Sequence, residues 1–193
     1  MKEDLLTYAK EHHVPVMQEA GLQFLMDQLQ QHHCKQFLEI GTAIAKTSIA
    51  IAQSFPDIQI VTIERNPEMI QQAKQNIVDA GLESRILLIE GDALEVSIPD
   101  RVYDCIFIDA AKAQYQRFFE RYCPFLSQDG IIITDNMEFH GLVQHPELTK
   151  NRNTKQLVRK IQKYHEYLGN LTDFDTEFYS IGDGVAITRR HKS

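Results

Sequence analysis

The chain has 193 residues, 43% apolar and 24% charged, with a net charge of −7 and three unpatterned cysteines. That length suits a single domain spanning residues 1–193 with a full core. No apolar run is long enough for a membrane span, the acidic start Met1-Lys2-Glu3-Asp4 has no apolar stretch behind it, and Cys34, Cys105 and Cys123 suit a reducing cytoplasm better than a disulfide framework.

In chain order, residues 1–35 carry a helical pattern broken around Val14-Pro15. Short β-branched runs then alternate with helical segments: Phe37–Ile40, Ile58–Ile63, Ile86–Ile89, Cys105–Ile108 and Ile131–Ile133. Near-continuous apolar runs of this kind predict strands buried on both faces. Asn66-Pro67-Glu68 predicts a helix start, Met69, Ile70, Ala73, Ile77 and Ala80 its inner face, and Gly81 its end. Later, Leu157, Ile161, Tyr164 and Leu168 form another stripe, and Glu177–Ile181, Gly182-Asp183-Gly184 and Val185–Thr188 predict a hairpin. The pattern is α/β: a doubly wound, mostly parallel seven-stranded sheet with an antiparallel C-terminal strand.

In such sheets ligands bind outside the carboxyl ends of the strands, so the residues that follow each run carry the chemistry. Gly41 permits a tight turn after the first run, although an ordinary strand–helix connection explains it equally well. Glu64 ends the second run 23 residues on, where a carboxylate grips a ribose diol in nucleotide-binding folds. Gly91-Asp92 ends the third, and Asp92 suits an adenine amine. The glycines that cradle a pyrophosphate are absent, which favours a nucleoside without phosphates over a nicotinamide dinucleotide. The fourth and fifth runs end in Asp109 and Asp135-Asn136. Each acid alone is better explained by capping or solvation. Together, two carboxylates and an amide oxygen suit a hard cation such as Mg²⁺. Lys112 lies one turn past Asp109, where a nearby cation and desolvation would lower its pKa and make it a general base.

With these residues assembled, the chain resembles the metal-dependent O-methyltransferases that include the catechol and caffeoyl-CoA enzymes. The matching segments are Leu38-Glu39-Ile40-Gly41-Thr42, Val61-Thr62-Ile63-Glu64, Gly91-Asp92-Ala93, Phe107-Ile108-Asp109-Ala110-Ala111-Lys112 and Thr134-Asp135-Asn136. Tyr8-Ala9, His13-Val14-Pro15-Val16, Gly141-Leu142-Val143, Phe174-Asp175-Thr176 and Ile181–Ile187 look most like the bacterial tRNA 5-hydroxyuridine methyltransferase group. The resemblance implies a Rossmann-like methyltransferase with S-adenosylmethionine as cofactor. The cofactor contacts it implies are Glu39, Gly41, Thr42, Thr47, Glu64, Arg65, Asp92, Ala93 and Asp109. It further implies Asp109, Asp135 and Asn136 as Mg²⁺ ligands, Lys112 as catalytic base, and a homodimer.

Three departures from that pattern stand out. Ala45-Lys46-Thr47 replaces the usual glycine, tyrosine and serine, so that a methyl group at Ala45 is expected either to crowd the methionine end of the cofactor or to shift the loop. Met137–His140 is atypical, and relatives often carry a further N-terminal helix that helps with the acceptor. The acceptor itself is left between two readings. The net charge gives no general support for nucleic acid, yet Lys150, Arg152, Lys155, Arg159, Lys160 and Lys163 lie together without an acid, as suits tRNA. A small catechol-like phenol needs no basic surface. A degenerate member that binds cofactor or RNA without turnover is the reading from another class.

Overall fold

The computed structural model describes residues 2–191. Two helices come first, α1 (Lys2–Glu11) and α2 (Glu19–Gln31), separated by the segment around Pro15, which has no N–H to continue a helix. The alternating part follows: β1 (Gln36–Ile40), α3 (Lys46–Ser54), β2 (Gln59–Glu64), α4 (Pro67–Asp79), β3 (Ile86–Glu90), β4 (Tyr103–Ile108), α5 (Tyr115–Tyr122) and β5 (Leu126–Thr134). Then come α6 (Arg152–Gly169), β6 (Phe174–Tyr179) and β7 (Val185–Arg190). The seven strands form one sheet in the order β3-β2-β1-β4-β5-β7-β6. Strands β1 to β5 run parallel, and β7 runs antiparallel to both of its neighbours. This is the expected mixed, doubly wound sheet. Among the described residues no helix is long and apolar enough to cross a membrane.

Alternation along each strand divides the core into two layers. Phe37, Phe107 and Ile133 join Leu22, Leu25 and Leu29 of α2 on one face. Leu38, Ile106 and Ile132 join Phe119 and Tyr122 of α5 and Tyr164 and Leu168 of α6 on the other. All of these side chains are nearly inaccessible, and each contributes about 2 kcal/mol by leaving water. The start of α4 matches its sequence signal closely. The Asn66 side chain accepts hydrogen bonds from the backbone N–H groups of Glu68 and Met69 at 2.9 and 3.2 Å, and Pro67 occupies the first helical position.

Three details differ from the sequence expectation. β5 begins at Leu126 rather than Ile131, because Leu126 pairs with Tyr103 across an irregular step in the register, and polar Ser127-Gln128-Asp129 hides that start. Val158, not Leu157, is the buried member of the α6 stripe. β6 begins at Phe174.

Glu39, expected at the cofactor, lies inside the molecule at 1% exposure and does not reach the cavity described below. Its side chain alternates to the face that packs α3. There its Oε2 accepts hydrogen bonds from Ser48 Oγ at 2.5 Å and Thr62 Oγ1 at 2.6 Å. Burial pushes its carboxyl up to about 8, against the opposing effect of the two hydroxyl donors and with the charges of Asp109 and Glu64 adding to the rise. The folded chain therefore holds a proton that the unfolded chain releases near the usual carboxylate range. This contribution to stability is complete below that range and is lost as pH rises through about 8. Glu39→Gln keeps an accepting oxygen and removes the titration. In denaturant unfolding between pH 5 and 8.5, the wild type is expected to lose more stability than the variant, on the order of 1 kcal/mol per pH unit. Parallel pH profiles for the two proteins would contradict the assignment.

Candidate active site

The strand register sets the ends of β1, β2, β4 and β5 level. Ile40 pairs with Ile63 on one side and Ile108 on the other, and Ile108 pairs with Thr134. The ladder continues one residue further: Gly41 N donates to Ile63 O at 3.0 Å, Asp109 N to Ile40 O at 3.0 Å and Asp135 N to Ile108 O at 3.1 Å. The residues that leave the sheet there line a cavity of about 760 Å³.

On the β1–β3 side of the cavity stand Gly41, Thr42, Thr47, Glu64, Arg65, Asp92 and Ala93, all expected from the sequence. Gly41 has φ +103°, and a methyl group built on it would sit 2.1 Å from the Asp109 carbonyl oxygen, so only glycine fits this crossing. Glu64 organises the loop. One carboxylate oxygen accepts from Ala43 N at 2.8 Å, and the other from the N–H groups of Arg65 and Asn66, both at 2.9 Å. The Arg65 guanidinium reaches Asp92 at 3.2 Å across the mouth. The Leu94 backbone N–H, followed by Arg65, holds the Asp92 carboxyl below the usual carboxylate range. Thr42 and Thr62 share a hydrogen bond of 2.6 Å, which ties this wall to Glu39 beneath it.

The departure at Ala45 is resolved by direction. Ala45 is fully buried, packs in the core beside α3 and does not line the cavity. Its methyl group packs in the core rather than on the cavity wall, and the backbone is left-handed at both Ala43 and Ala45. Lys46 is also buried, and its ammonium donates to Met17 O at 2.9 Å, which binds the segment between α1 and α2 to the start of α3.

On the β4–β5 side, Asp109, Lys112, Asp135 and Asn136 come together. Asn136 has left-handed backbone, φ +59°, and its amide donates to Asp109 Oδ1 at 3.0 Å and to Asp135 Oδ2 at 3.1 Å. Both carboxyls are held above the usual range, first by burial. Lys112 opposes the rise at Asp109, while the charge of Asp109 adds to the rise at Asp135. The Tyr115 hydroxyl donates to Asp135 O at 2.9 Å and fixes the strand end. Lys112 lies on a short 3-10 turn with its ammonium 5.6 Å from the centre of the Phe139 ring. Among the described residues no three His, Cys, Asp or Glu side chains form a metal-holding group. A hard cation here would therefore take two carboxylates and the amide oxygen of Asn136.

Two further walls were not legible in the sequence. The segment from His12 to Gln18 closes one side, and Phe139, His140 and Asp183 close the acceptor side. Gly182-Asp183-Gly184 was legible only as a hairpin turn.

The whole described chain, residues 2–191, matches the model of the O-methyltransferase family. The catechol O-methyltransferase of Niastella koreensis is 31% identical over 85% of this chain and 77% of its own length. The crystal structure of a Staphylococcus aureus protein, provisionally assigned as a caffeoyl-CoA O-methyltransferase, superposes with a TM-score of 0.94 at 42% identity, covering 98% of this chain and 92% of that one. An O-methyltransferase from Bacillus cereus, crystallised in complex with SAH, shares the fold with a TM-score of 0.83 at 22% identity over 98% and 90% of the two chains.

The crossing at Gly41 supplies a direct test. Gly41→Ala places a Cβ against backbone, whereas Gly81, at φ +66°, has open space around it. Gly81→Ala is expected to cost about 1 kcal/mol for its left-handed backbone, and Gly41→Ala at least about 2 kcal/mol more. Denaturant midpoints of the two variants measure the difference. Equal losses would mean that the close approach imposes no constraint.

Proposed function

This chain belongs to the O-methyltransferase family and is an S-adenosylmethionine-dependent O-methyltransferase; from that premise we propose that its acceptor is a ring hydroxyl with a second oxygen on the adjacent carbon, held beside Asp109, Asp135 and Asn136 with Mg²⁺. The observation that carries this reading is the pair of carboxylates bridged by one amide at the ends of β4 and β5. Burial and mutual charge disfavour two anions there, and a divalent cation reverses that preference. The donor set of two carboxylates and an amide oxygen fits Mg²⁺ once the Asn136 amide, whose nitrogen faces both carboxylates here, turns its oxygen toward them.

Bound S-adenosylmethionine supplies an electrophilic methyl group on a sulfonium. The chain's own residues supply placement. From the cavity wall Glu64 would accept from ribose hydroxyls and Asp92 from an adenine amine, and Gly41 keeps the floor clear of side chain. Mg²⁺, when bound, makes an acceptor hydroxyl easier to ionise. Lys112, as the neutral amine, would receive the proton at Nζ, and the Phe139 ring beside it limits where that nitrogen can stand. Most of the acceleration in such a site comes from positioning and fixed charge.

For the acceptor we favour 5-hydroxyuridine in tRNA. Lys155, Arg159, Lys160 and Lys163 are exposed on α6, whose apolar stripe faces the core, and α6 packs against the turn that carries Lys112. Phosphate groups would meet that basic face while the base entered the cavity. A small catechol-like phenol is the second reading, supported by the catechol O-methyltransferase relative.

Methyl-labelled S-adenosylmethionine and Mg²⁺ are incubated with tRNA carrying 5-hydroxyuridine, with catechol, or with either plus EDTA. Label is expected in tRNA, to be abolished by EDTA, and to fall steeply between 50 and 200 mM salt if several phosphates are contacted. Label in catechol alone, little affected by salt, would replace the tRNA reading. Undiminished transfer in EDTA, or by an Asp135→Ala variant, would remove the metal from the mechanism.

A further inference from the structure

Lys46 opens α3, and nothing local favours it there. The positive end of a helix repels a cation. Ala45 before it supplies no side-chain cap. A lysine is also rarely as inaccessible as this one, at 8% exposure. The fit of this residue therefore comes from tertiary structure. Its Nζ donates to Met17 O at 2.9 Å, 29 residues away in sequence. A residue that breaks local rules within a well-packed fold marks a functional constraint.

Met17 belongs to the cavity wall formed by residues 12–18. Backbone hydrogen bonds hold the two ends of that wall to their own helices: Val14 N donates to Ala9 O at 2.9 Å, and Leu22 N to Gln18 O at 2.9 Å. Between them Pro15 has no N–H to offer. Val14 and Met17 are buried in the core beside α3, but apolar burial is non-directional and does not fix how a segment stands along a helix. A hydrogen bond from a charged donor does. The Met17 side chain adds a close fit, since a Cβ built on Gly21 would lie 3.3 Å from Met17 Cε. Lys46 thus fastens the middle of the wall to the helix that follows the Gly41 turn.

The strand order β3-β2-β1-β4-β5 fixes what this wall meets. With the nucleoside on Glu64 and Asp92 at the ends of β2 and β3, and the acceptor beside Asp109 and Asp135 at the ends of β4 and β5, the cofactor's amino-acid end lies between them. That is over the end of β1, where Met17, Lys46 and Thr47 line the cavity. We infer that Lys46, acting through Met17, is a positioning residue for the amino-acid end of S-adenosylmethionine: it sets the wall against which that end rests. This rests on the nucleoside placement proposed above. Without the ammonium the wall stands in its binding-competent position for only a fraction of the time, and affinity falls by that fraction.

Two substitutions test this. Lys46→Met keeps the length of the side chain and removes the donor. Lys46→Arg keeps a charged donor, and a small cavity of about 260 Å³ that Lys46 borders between α2 and α3 leaves room for the guanidinium. Wild type and both variants are titrated calorimetrically with S-adenosylhomocysteine and with 5′-methylthioadenosine, which lacks the amino-acid end. Lys46→Met is expected to bind S-adenosylhomocysteine roughly 10-fold more weakly than the wild type does. It is expected to bind 5′-methylthioadenosine with unchanged affinity, and Lys46→Arg to recover most of the loss. A Lys46→Met protein that binds S-adenosylhomocysteine as tightly as the wild type overturns the inference. So does one that binds both ligands equally more weakly, because Lys46 would then serve the fold rather than the amino-acid end. Glu64→Gln in the same titrations checks the premise separately. Undiminished binding of both ligands by that variant would remove the nucleoside from Glu64, and this inference with it.

Discussion

Parallel strands ending at one level create this site. The backbone N–H of Gly41, Asp109 and Asp135 each donates to a carbonyl within the last two residues of the neighbouring strand, so the chain is still held by the sheet at the residues where side chains begin to serve a ligand. A side chain one residue past a strand is then nearly as rigid as one within it. This is why residues far apart in sequence, such as Glu64 and Asn136, can share one cavity without a loop having to order them. It also explains the severity of the constraint at Gly41. The same tight ladder that aligns Asp109 leaves no room for a Cβ beside the Asp109 carbonyl.

Upon that frame the chain accumulates negative charge in poorly hydrated positions. Glu39 sits under the floor, Asp109 and Asp135 on it, and Asp183 on the wall. Each is managed differently. Glu39 is surrounded by hydroxyl donors and burial favours its protonated form. Asp109 and Asp135 share the Asn136 amide and feel the Lys112 charge. Asp183 is satisfied on one oxygen alone. The gradient from protonated floor to charged rim matches a site that must grip hydroxyl and amine groups of a nucleoside on one side and ionise a hydroxyl on the other.

How much of this the sequence disclosed depended on whether a residue's role was set locally. Strand ends are local: Gly41, Glu64, Asp92, Asp109, Asp135 and Asn136 each follow an apolar run, and each stands on the cavity wall. The α4 cap was equally legible, because Asn66, Pro67 and Glu68 act within one turn. Glu39 misled because motif position does not say which face of a strand a residue takes. Alternation decides that, and it turned Glu39 toward Ser48 rather than the ligand. Ala45 was ambiguous for a related reason, since its direction depends on a left-handed loop that composition does not encode. The Asp183 wall was hidden altogether. It depends on the β6–β7 turn docking on the chain after β5, a contact between segments more than 40 residues apart in sequence.

Strain is concentrated where those long-range contacts meet. Among the described residues, seven non-glycine residues have left-handed backbone, and five of them, His13, Ala43, Asn136, Phe139 and His140, line the cavity. Each costs about 1 kcal/mol or more, so the cavity lining is less stable locally than the sheet beneath it. Compensation is visible at three of them: Glu64 accepts from Ala43 N, the Asn136 amide bridges two carboxylates, and Asp183 accepts from His140 N. In all three cases an acidic side chain from the cavity wall holds a residue with strained backbone. Binding and local order are therefore linked through the same carboxylates. A ligand that engages Glu64 or Asp183 acts on a group already committed to loop geometry, and a substitution there alters loop and ligand contacts together.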